Sequence, residues 1–354
     1  AKHARQQSPY QHLLKPKAGG ILRYGIPAYR LPPETLDHEL GLWKKLGVKF
    51  AFRQNVDGKR LAELRSSNDA VIVATGAHAD RPLGIPGETL AGVHPGYEWL
   101  ERFAEGKAGP IGKRVLVIGG GNVALDAART IHRLGGQVAI AYRRSRADMP
   151  ANDEEVKGAE EEGIRIDCFL APEEILGKGG RVSGVRFRVC VAGGTDASGR
   201  PKPVPTDRTV DIPCDDLIVA AGEKVDSSVY AAAGLPVLKD GRLAAERRNG
   251  RLGATNVWAV GDAVTGPATA SEAMGLAKTC ARELDRELMG RDAWPALFRD
   301  PGYTRVAPAE PDARRRPERR FVAAAERRGS FREISIGWTG EEARCEASRC
   351  LRCD

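Results

Sequence analysis

A glycine-rich turn between an apolar strand and a helix constrains the fold more than any other feature of this chain. Residues 115–118 are apolar, glycines occupy 119–121, and an amphipathic helix is predicted over 122–134. A second strand is predicted over 137–142, which completes a β-α-β unit. This order of strand, tight turn, helix and strand is typical of an α/β fold that binds dinucleotides.

The turn fits the pattern G-x-G-x-x-A, in which each small residue has its own steric task. Gly119 makes the tight turn, Gly121 lets the backbone approach a pyrophosphate, and Ala124 lets the helix pack closely on the strand. Asn122 and Val123 begin the helix, whose N-terminus carries a partial positive charge that faces the phosphates. We therefore predict that these five residues bind the diphosphate of NADP or NAD.

The end of the second strand distinguishes the two nicotinamide cofactors. NAD sites usually have Asp or Glu there, whereas an Arg favours the 2′-phosphate of NADP. This chain has Arg143 and Arg144 and no acidic residue at the strand end, although Asp148 follows closely. The charges therefore favour NADP, and NAD stays open as the alternative.

A repeated pattern indicates that the chain leaves one domain, builds a second and then returns to the first. An apolar strand at 70–75 ends in Gly76, and residues 215–221 repeat its order of acid, apolar run and Ala-Gly. Residues 77–111 are rich in Gly and Pro and are predicted to be a connection. The predicted parts are the first domain, the nucleotide domain, the return to the first domain and a basic extension, at 1–111, 112–214, 215–290 and 291–354.

Several motifs together resemble the small subunit of glutamate synthase and related NAD(P)H-dependent flavin oxidoreductase subunits. The matching runs lie at 19–32, 74–77, 85–88, 119–129, 142–144, 149–151 and 260–262. The resemblance implies two Rossmann-like dinucleotide-binding domains, with the NAD(P)H domain inserted into an FAD domain. It also implies that the chain exchanges hydride between NAD(P)H and FAD.

The resemblance further implies which residues contact the flavin. In that family the Asp of a Gly-Asp pair accepts hydrogen bonds from the ribityl hydroxyls, and Asp262 after Gly261 fits this position. A helix predicted after Thr269 and Ala270 would direct its N-terminus at the ring and stabilise negative charge there. The other implied flavin contacts are Gly20, Leu22, Gly25, Ile26, Pro27, Thr75 and Gly76.

One departure from the family concerns the diphosphate of FAD. The family has a G-x-G-x-x-G turn before its Gly-Gly-x-Leu segment, and nothing between residues 1 and 17 fits that turn. About 16 residues are too few for a β-α-β unit, which needs about 30. Three explanations are open: the chain lacks a stretch near 14–17, a partner supplies the turn, or FAD binding is lost. We favour the first, which predicts a break in the chain near residues 14–17.

Three cysteines near the C-terminal end have the spacing C-x4-C-x2-C. Cys345, Cys350 and Cys353 resemble the start of the family's cluster-binding segment, and three thiolates at this spacing can ligate an iron–sulfur cluster. A cluster needs a fourth ligand, so two interpretations are open. One is a cluster completed by a partner or by a further cysteine, and the other is a vestigial or docking tail.

Charge and hydropathy exclude several other classes of protein. The net charge of +8 would suit nucleic acid, but the arginines crowd one late stretch at 314–328, so a local surface feature or docking onto an acidic partner explains it better. No run of 18 apolar residues is present, and the first residues do not form a secretory signal, so a cytoplasmic protein is expected. No cysteine lies between residues 17 and 60, which disfavours a disulfide reductase.

These observations predict a flavoprotein electron-transfer subunit of a larger oxidoreductase complex. It would exchange hydride between NAD(P)H and FAD, and single electrons with iron–sulfur or other redox partner subunits, in a hetero-oligomer. We predict no acid–base residue, because the redox chemistry belongs to the cofactors. The alternative is a non-catalytic assembly or docking subunit that keeps the nucleotide fold and binds no flavin.

Overall fold

A computed structural model describes residues 10–196, 199–290 and 317–348. The strands are β1 (Tyr10–Leu13), β2 (Lys49–Phe52), β3 (Val71–Val73), β4 (Ala79–Asp80), β5 (Val93–Pro95), β6 (Arg114–Ile118), β7 (Gln137–Tyr142), β8 (Arg165–Cys168), β9 (Leu170–Lys178), β10 (Arg181–Thr195), β11 (Pro201–Pro213), β12 (Asp216–Val219), β13 (Glu223–Lys224) and β14 (Val257–Ala259).

The helices are α1 (Ile21–Tyr24), α2 (Pro33–Lys45), α3 (Gly58–Ser67), α4 (Gly96–Ala104), α5 (Asn122–Arg133), α6 (Asp153–Glu161), α7 (Ser228–Ala232), α8 (Asp262–Thr265), α9 (Ala270–Met289), α10 (Ala324–Arg327) and α11 (Gly340–Ser348), with one 3₁₀ turn at Arg146–Asp148. None of the helices in the described segments has the length and apolar surface that a bilayer-spanning helix requires.

A five-stranded parallel sheet forms the largest unit, in the order β5-β12-β6-β7-β8. Helix α5 packs its small apolar face on this sheet, and Ala124, Ala127 and Ile131 are fully buried there. The observed β6, α5 and β7 agree with the predicted β-α-β unit to within one residue at each end. The helix was predicted correctly because one face of α5 is buried along its whole length, so its apolar residues recur at helical spacing.

The predicted limits of the nucleotide domain, 112 and 214, both cut through this sheet. Strand β5 and helix α4 lie in the segment that was predicted to be a connection, and β5 pairs with β12. Strand β12 pairs with β6, so the chain has not yet returned to the first domain at residue 215. The apolar run of β12 matched that of β3 because both strands pair in parallel sheets, where apolar residues are favoured.

A three-stranded antiparallel sheet, in the order β11-β10-β9, extends from the same unit. Val185 and Phe187 are fully buried in the core between this sheet and the parallel one. Arg186 between them faces the other way, as a strand requires, and pairs with Glu174 and Asp211.

Two further pairs of parallel strands lie outside the five-stranded sheet. Strand β14 pairs with β3, and β1 pairs with β2 across the crossover that contains α1 and α2. The apolar strand predicted at 70–75 is found as β3, but Ile72 in it is 46% exposed. Within the described residues β3 has β14 as its single strand neighbour, so one edge and part of its face stay open. Residues 14–17 connect β1 to α1, and the missing stretch predicted there stays a prediction.

A two-stranded antiparallel ribbon joins the two parts of the molecule. It pairs β4 with β13, with Ala79 opposite Lys224 and Asp80 opposite Glu223. The amide of Arg81 donates to the carbonyl of Gly222 at 2.8 Å and continues the pairing. The outgoing and the returning connection therefore run side by side.

Candidate functional site

The turn after β6 admits only glycine at its first position. Gly119 has a φ of 143°, and its amide donates to the carbonyl of Ala141 at 3.1 Å. A Cβ on Gly119 would lie 2.2 Å from the carbonyl oxygen of Ala220 and 3.3 Å from the Cβ of Ala124. The positive φ and this close approach both require the absence of a side chain.

The space in front of helix α5 is open, and Gly121 faces it. A Cβ on Gly121 would meet no atom within 4 Å, and no side chain caps the helix or places an acid in its first turn. By helix geometry the amides of Asn122, Val123 and Ala124 have no intrahelical acceptor. Three free donors, a positive helix end and room for a ligand fit a dinucleotide diphosphate.

The two arginines after β7 have different surroundings. Arg144 is buried and forms an ion pair with Asp196, at the end of β10. Arg143 is exposed, and no hydrogen bond or ion pair involves it within the described residues. The side chain that the structure leaves available for a 2′-phosphate is therefore Arg143, whereas Arg144 is engaged within the fold.

Four residues implied at the flavin lie together at the carboxyl ends of β3 and β14. Thr75 and Gly76 follow β3, and Gly261 and Asp262 follow β14, while the amide of Val260 donates to the carbonyl of Val73 at 2.9 Å. Burial raises the pKa of the Asp262 carboxyl, and the amide of Ala268 bonds to it and opposes that rise. This edge of parallel strands is the usual position of a ligand in an α/β fold.

Helix α9 begins at the same edge with a capping box. The hydroxyl of Thr269 accepts from the amide of Glu272 at 3.2 Å, and the Glu272 carboxylate accepts from the amide of Thr269 at 2.9 Å. Two backbone donors are thus used by the helix itself. The amides of Ala270 and Ser271 are left for a ligand. The capping box was not predicted from the sequence, although Glu272 stands at the third helical position that such a box requires.

The loop at 20–27 packs against α4. A Cβ on Gly25 would lie 2.7 Å from Ile21 Cγ1 and 3.1 Å from a ring carbon of Tyr97, so Gly25 allows this close contact. Pro27 is buried, Leu22 and Ile26 are half-buried, and Gly20 is exposed with open space around it. The loop therefore has a fixed base at Gly25 and Pro27 and a more accessible edge.

A group of buried charged side chains, which we call the buried charge cluster, was missed from the sequence. Its members come from the loop after Pro27, from α5 and α6, and from the C-terminal segment: Arg30, Asp126, Arg129, Arg133, Glu155, Glu162 and Arg327. Its partners are far apart in the chain, so no local pattern predicts it. The one sequence signal is the presence of Asp126 and Arg129 on the apolar face of a helix that is otherwise buried.

Burial and hydrogen bonding act in opposite directions on the acids of the buried charge cluster. Burial alone would raise the pKa of Glu162, but hydrogen bonds from Arg129 and Arg133 outweigh it and hold that pKa below its ordinary value. Burial raises the pKa of Asp126 to about 6, although Arg30 opposes the shift. Hydrogen bonds from two guanidinium groups therefore favour the ionised form of Glu162, whereas burial opposes ionisation of Asp126 and Arg30 favours it.

The predicted metal ligands are only partly covered by the structure. Cys345 lies on α11 with a half-buried, free thiol, while Cys350 and Cys353 fall outside the described residues. Within 10–196, 199–290 and 317–348, no three His, Cys, Asp or Glu side chains are grouped as metal ligands. The cluster at these cysteines stays a prediction.

An open helix N-terminus after a glycine turn, with a second ligand edge at β3 and β14, is an arrangement for two dinucleotide cofactors. The model of the pyridine nucleotide-disulphide oxidoreductase family matches residues 38–277. The chain belongs to this family. Membership confirms the predicted NAD(P)H-dependent FAD oxidoreductase family and, with it, FAD and a pyridine nucleotide as the cofactors.

Three relatives have names that denote one subunit or chain of an enzyme. The chain is 35% identical over 353 residues to the NADP(+)-dependent formate dehydrogenase subunit beta of Moorella thermoacetica, covering 96% of this chain and 50% of that one. It is 33% identical over 386 residues to the NADPH-Fe(3+) oxidoreductase subunit beta of Geobacter sulfurreducens, with 97% and 57% covered. It is 32% identical over 268 residues to the glutamate synthase [NADPH] small chain of Azospirillum brasilense, with 71% and 55% covered. The chain thus spans little more than half the length of these relatives.

Solved structures confirm the α/β fold of the family. Mycobacterium tuberculosis FprA in complex with NADPH aligns with a TM-score of 0.65 at 21% identity, covering 81% of this chain and 80% of that one. The thioredoxin reductase of T. acidophilum aligns with a TM-score of 0.54 at 19% identity, covering 78% and 90%. At these identities the likeness concerns the fold.

Proposed function

We propose that this chain is the flavoprotein electron-transfer part of a larger NADPH-dependent complex. It would exchange hydride between NADP(H) and FAD, and single electrons with an iron–sulfur or other redox partner subunit. The observation that carries the proposal is the uncapped N-terminus of α5, open above Gly121, with Arg143 free at the end of β7. The names of the relatives support a hetero-oligomer, because each denotes one subunit or chain of an enzyme.

The two cofactors are assigned to two domains, one inserted into the other. We take the unit built on the five-stranded sheet as the NAD(P)H-binding domain, and the part with β3, β14 and the loop at 20–27 as the FAD domain. The inserted position is supported by the chain order, since this sheet takes its strands from residues between β3 and β14. The ribbon of β4 and β13 would then be the junction.

Each group of site residues has a distinct task in this proposal. When bound, the pyridine nucleotide supplies or accepts a hydride, and the flavin converts an electron pair into single electrons. The turn at 119–121 and the first amides of α5 hold the diphosphate, and Arg143 selects NADP. Asp262 would orient the ribityl chain of the flavin, and the amide of Ala270 would be available to its ring. The loop at 25–27 would cover the bound flavin and exclude water.

The FAD diphosphate needs its own donors. Among the described residues, the turn after β6 is the one G-x-G-x-x-A sequence that follows a strand and opens a helix. We propose that residues other than those described hold the FAD diphosphate. The same holds for the cluster at Cys345, Cys350 and Cys353, which would be completed by a ligand from a partner or from a further cysteine.

Anaerobic titration of the protein, purified with its native partners, tests the proposed function. We expect the flavin absorbance to bleach stoichiometrically as NADPH is added, and to recover when a one-electron acceptor is supplied. Protein that is folded, associated with its partners and free of flavin would refute the proposal. That result would instead support the non-catalytic assembly subunit.

The choice of NADPH over NADH is expected to depend on Arg143. Arg143→Ala should weaken NADPH binding roughly 10- to 100-fold and leave NADH binding nearly unchanged, because one charge-assisted contact to a phosphate is worth about 1.5–3 kcal/mol. The measurement is calorimetric titration with each nucleotide.

Arg146→Ala is the matched control, since Arg146 also follows β7 but is half-buried and pairs with Asp153 and Glu160. Its nucleotide affinities should stay at the wild-type values. A wild-type protein that binds NADH more tightly than NADPH would contradict the assignment to Arg143.

A further inference from the structure

We propose that Arg30 is a positioning residue that sets how the nicotinamide meets the flavin, by tying the loop at 25–30 to helix α5. The inference rests on the proposed function, because it concerns the two cofactors assigned above. It assigns a task to Arg30, a member of the buried charge cluster for which the sequence alone predicted none.

Arg30 reaches two helices of the nucleotide domain at once. Its Nη1 lies 2.8 and 2.7 Å from the two carboxylate oxygens of Asp126 on α5, and its Nε lies 2.9 Å from Glu155 Oε1 on α6. Asp126 is 4% exposed, so water does not compete for this pair. Glu155 in turn pairs with Arg129 on α5, which closes the connection between the two helices.

Both ends of this link are rigidly attached to a cofactor-binding element. At one end, the amides of Arg30 and Leu31 donate to the carbonyl of Pro27 at 2.9 and 3.1 Å, so Arg30 is in one tight turn with the residue proposed to cover the flavin. At the other end, Asp126 lies in the second turn of the helix whose first amides are proposed to hold the nucleotide diphosphate. A movement of the loop against α5 would break the pair.

Tyr29 provides a second contact between the same two elements. Its side chain is fully buried, and the guanidinium carbon of Arg133 on α5 lies 3.8 Å from the centroid of its ring. The carbonyl of Tyr29 also accepts from the amide of Ile334 at 3.0 Å, in the segment at 317–348. The stacking of Tyr29 on Arg133 and the Arg30–Asp126 pair are thus two separate contacts between the loop and α5.

A buried charge pair is suited to setting geometry rather than adding stability. Its Coulomb energy is largely offset by desolvation, but an alternative arrangement would leave both charges buried and unpaired, which costs several kcal/mol. One relative position of loop and helix is thereby strongly favoured. Hydride transfer needs that selectivity, since a misplacement of about 1 Å between reacting groups can lower a rate about 100-fold.

The experiment compares Arg30→Gln, Arg30→Lys and Asp126→Asn in the intact protein. We expect flavin content and NADP+ affinity within about 3-fold of wild type, a clear loss of the long-wavelength charge-transfer absorbance between the two rings, and flavin reduction slowed about 10- to 100-fold. The Arg30→Gln and Asp126→Asn changes should not add in the double variant. Hydrogen exchange of the amides at 25–31, which needs no flavin, should become faster in all three.

Arg319→Gln is the matched control, because Arg319 pairs with Glu154 on α6 at 3.0 Å but on the exposed surface. It should leave every readout unchanged. Unchanged charge-transfer absorbance and hydrogen exchange in folded Arg30→Gln would overturn the inference, as would parallel losses of flavin and nucleotide binding. If Arg30→Gln does not fold, the isosteric Asp126→Asn decides by the same readouts. If the wild-type protein contains no flavin, the proposed function is refuted instead. That result is obtained before any variant is made.

Discussion

Gly121→Val is expected to abolish measurable binding of both NADPH and NADH, with a loss of at least about 100-fold in affinity, or about 2.7 kcal/mol. Its side chain would occupy the open space in front of α5, where no protein atom lies within 4 Å of a Cβ. The backbone itself tolerates valine, since Gly121 has φ −89° and ψ 176°. The variant should therefore fold normally, and its valine should fill only the space that the diphosphate needs. Calorimetric titration with each nucleotide measures the effect.

Gly109→Val is the matched control for this substitution. Gly109 is exposed in the connection before β6, and a Cβ there would also meet no atom within 4 Å. We expect it to leave nucleotide affinity unchanged. Wild-type affinity in folded Gly121→Val would show that the diphosphate lies elsewhere.

Glu162→Gln is expected to lower the free energy of unfolding by about 3–5 kcal/mol, the usual result of removing one partner from a buried ion pair. The Glu162 carboxylate accepts from Arg129 at 2.6 Å and from Arg133 at 2.7 and 3.0 Å, and Arg327 lies 3.4 Å away. A neutral amide leaves these guanidinium groups buried with too little negative charge. Urea denaturation of both proteins measures the difference.

The neighbouring Glu161→Gln is the matched control, since the Glu161 side chain is exposed and lies 3.0 Å from the same Arg327. Buried Arg327 keeps Glu162 as a partner in this variant, and an exposed carboxylate contributes little to an ion pair, so a change of about 1 kcal/mol or less is expected. The pKa of Glu162 is depressed, so its contribution is present above the unfolded pKa and is lost as the pH falls. The difference in the free energy of unfolding between wild type and Glu162→Gln should therefore become smaller at acid pH. Equal stabilities at neutral pH would contradict the role given to Glu162.

The β-α-β unit could be predicted from the sequence because its signals are local. The turn at 119–121 needs glycine for steric reasons that any homologous backbone shares, and the apolar face of α5 repeats at helical spacing over its whole length. The strands β6 and β7 are short apolar runs with clear limits. Each of these elements therefore appeared at the predicted place.

Long-range contacts could not be predicted in the same way. Strand β5 has three residues and α4 follows it within a segment rich in Gly and Pro, so tertiary pairing with β12 and packing on α5 outweigh a composition typical of loops. Arg144 matched the pattern of a phosphate ligand, but its ion pair with Asp196 depends on a residue 52 positions away. Arg30 and Asp126 are 96 positions apart, and only the fold brings them together.

The ribbon of β4 and β13 has a consequence for how such a chain arose and can be re-engineered. Paired strands lie about 5 Å apart, so the entry and exit points of residues 81–222 are neighbours in space. A two-residue hairpin turn could close either side of a cut made there. Removal of residues 81–222 would leave β3 and β14 free to pair. A different domain whose two ends lie close together could be inserted at the same place. A recombination that joins at this ribbon would therefore exchange residues 81–222 without cutting through β3 or β14.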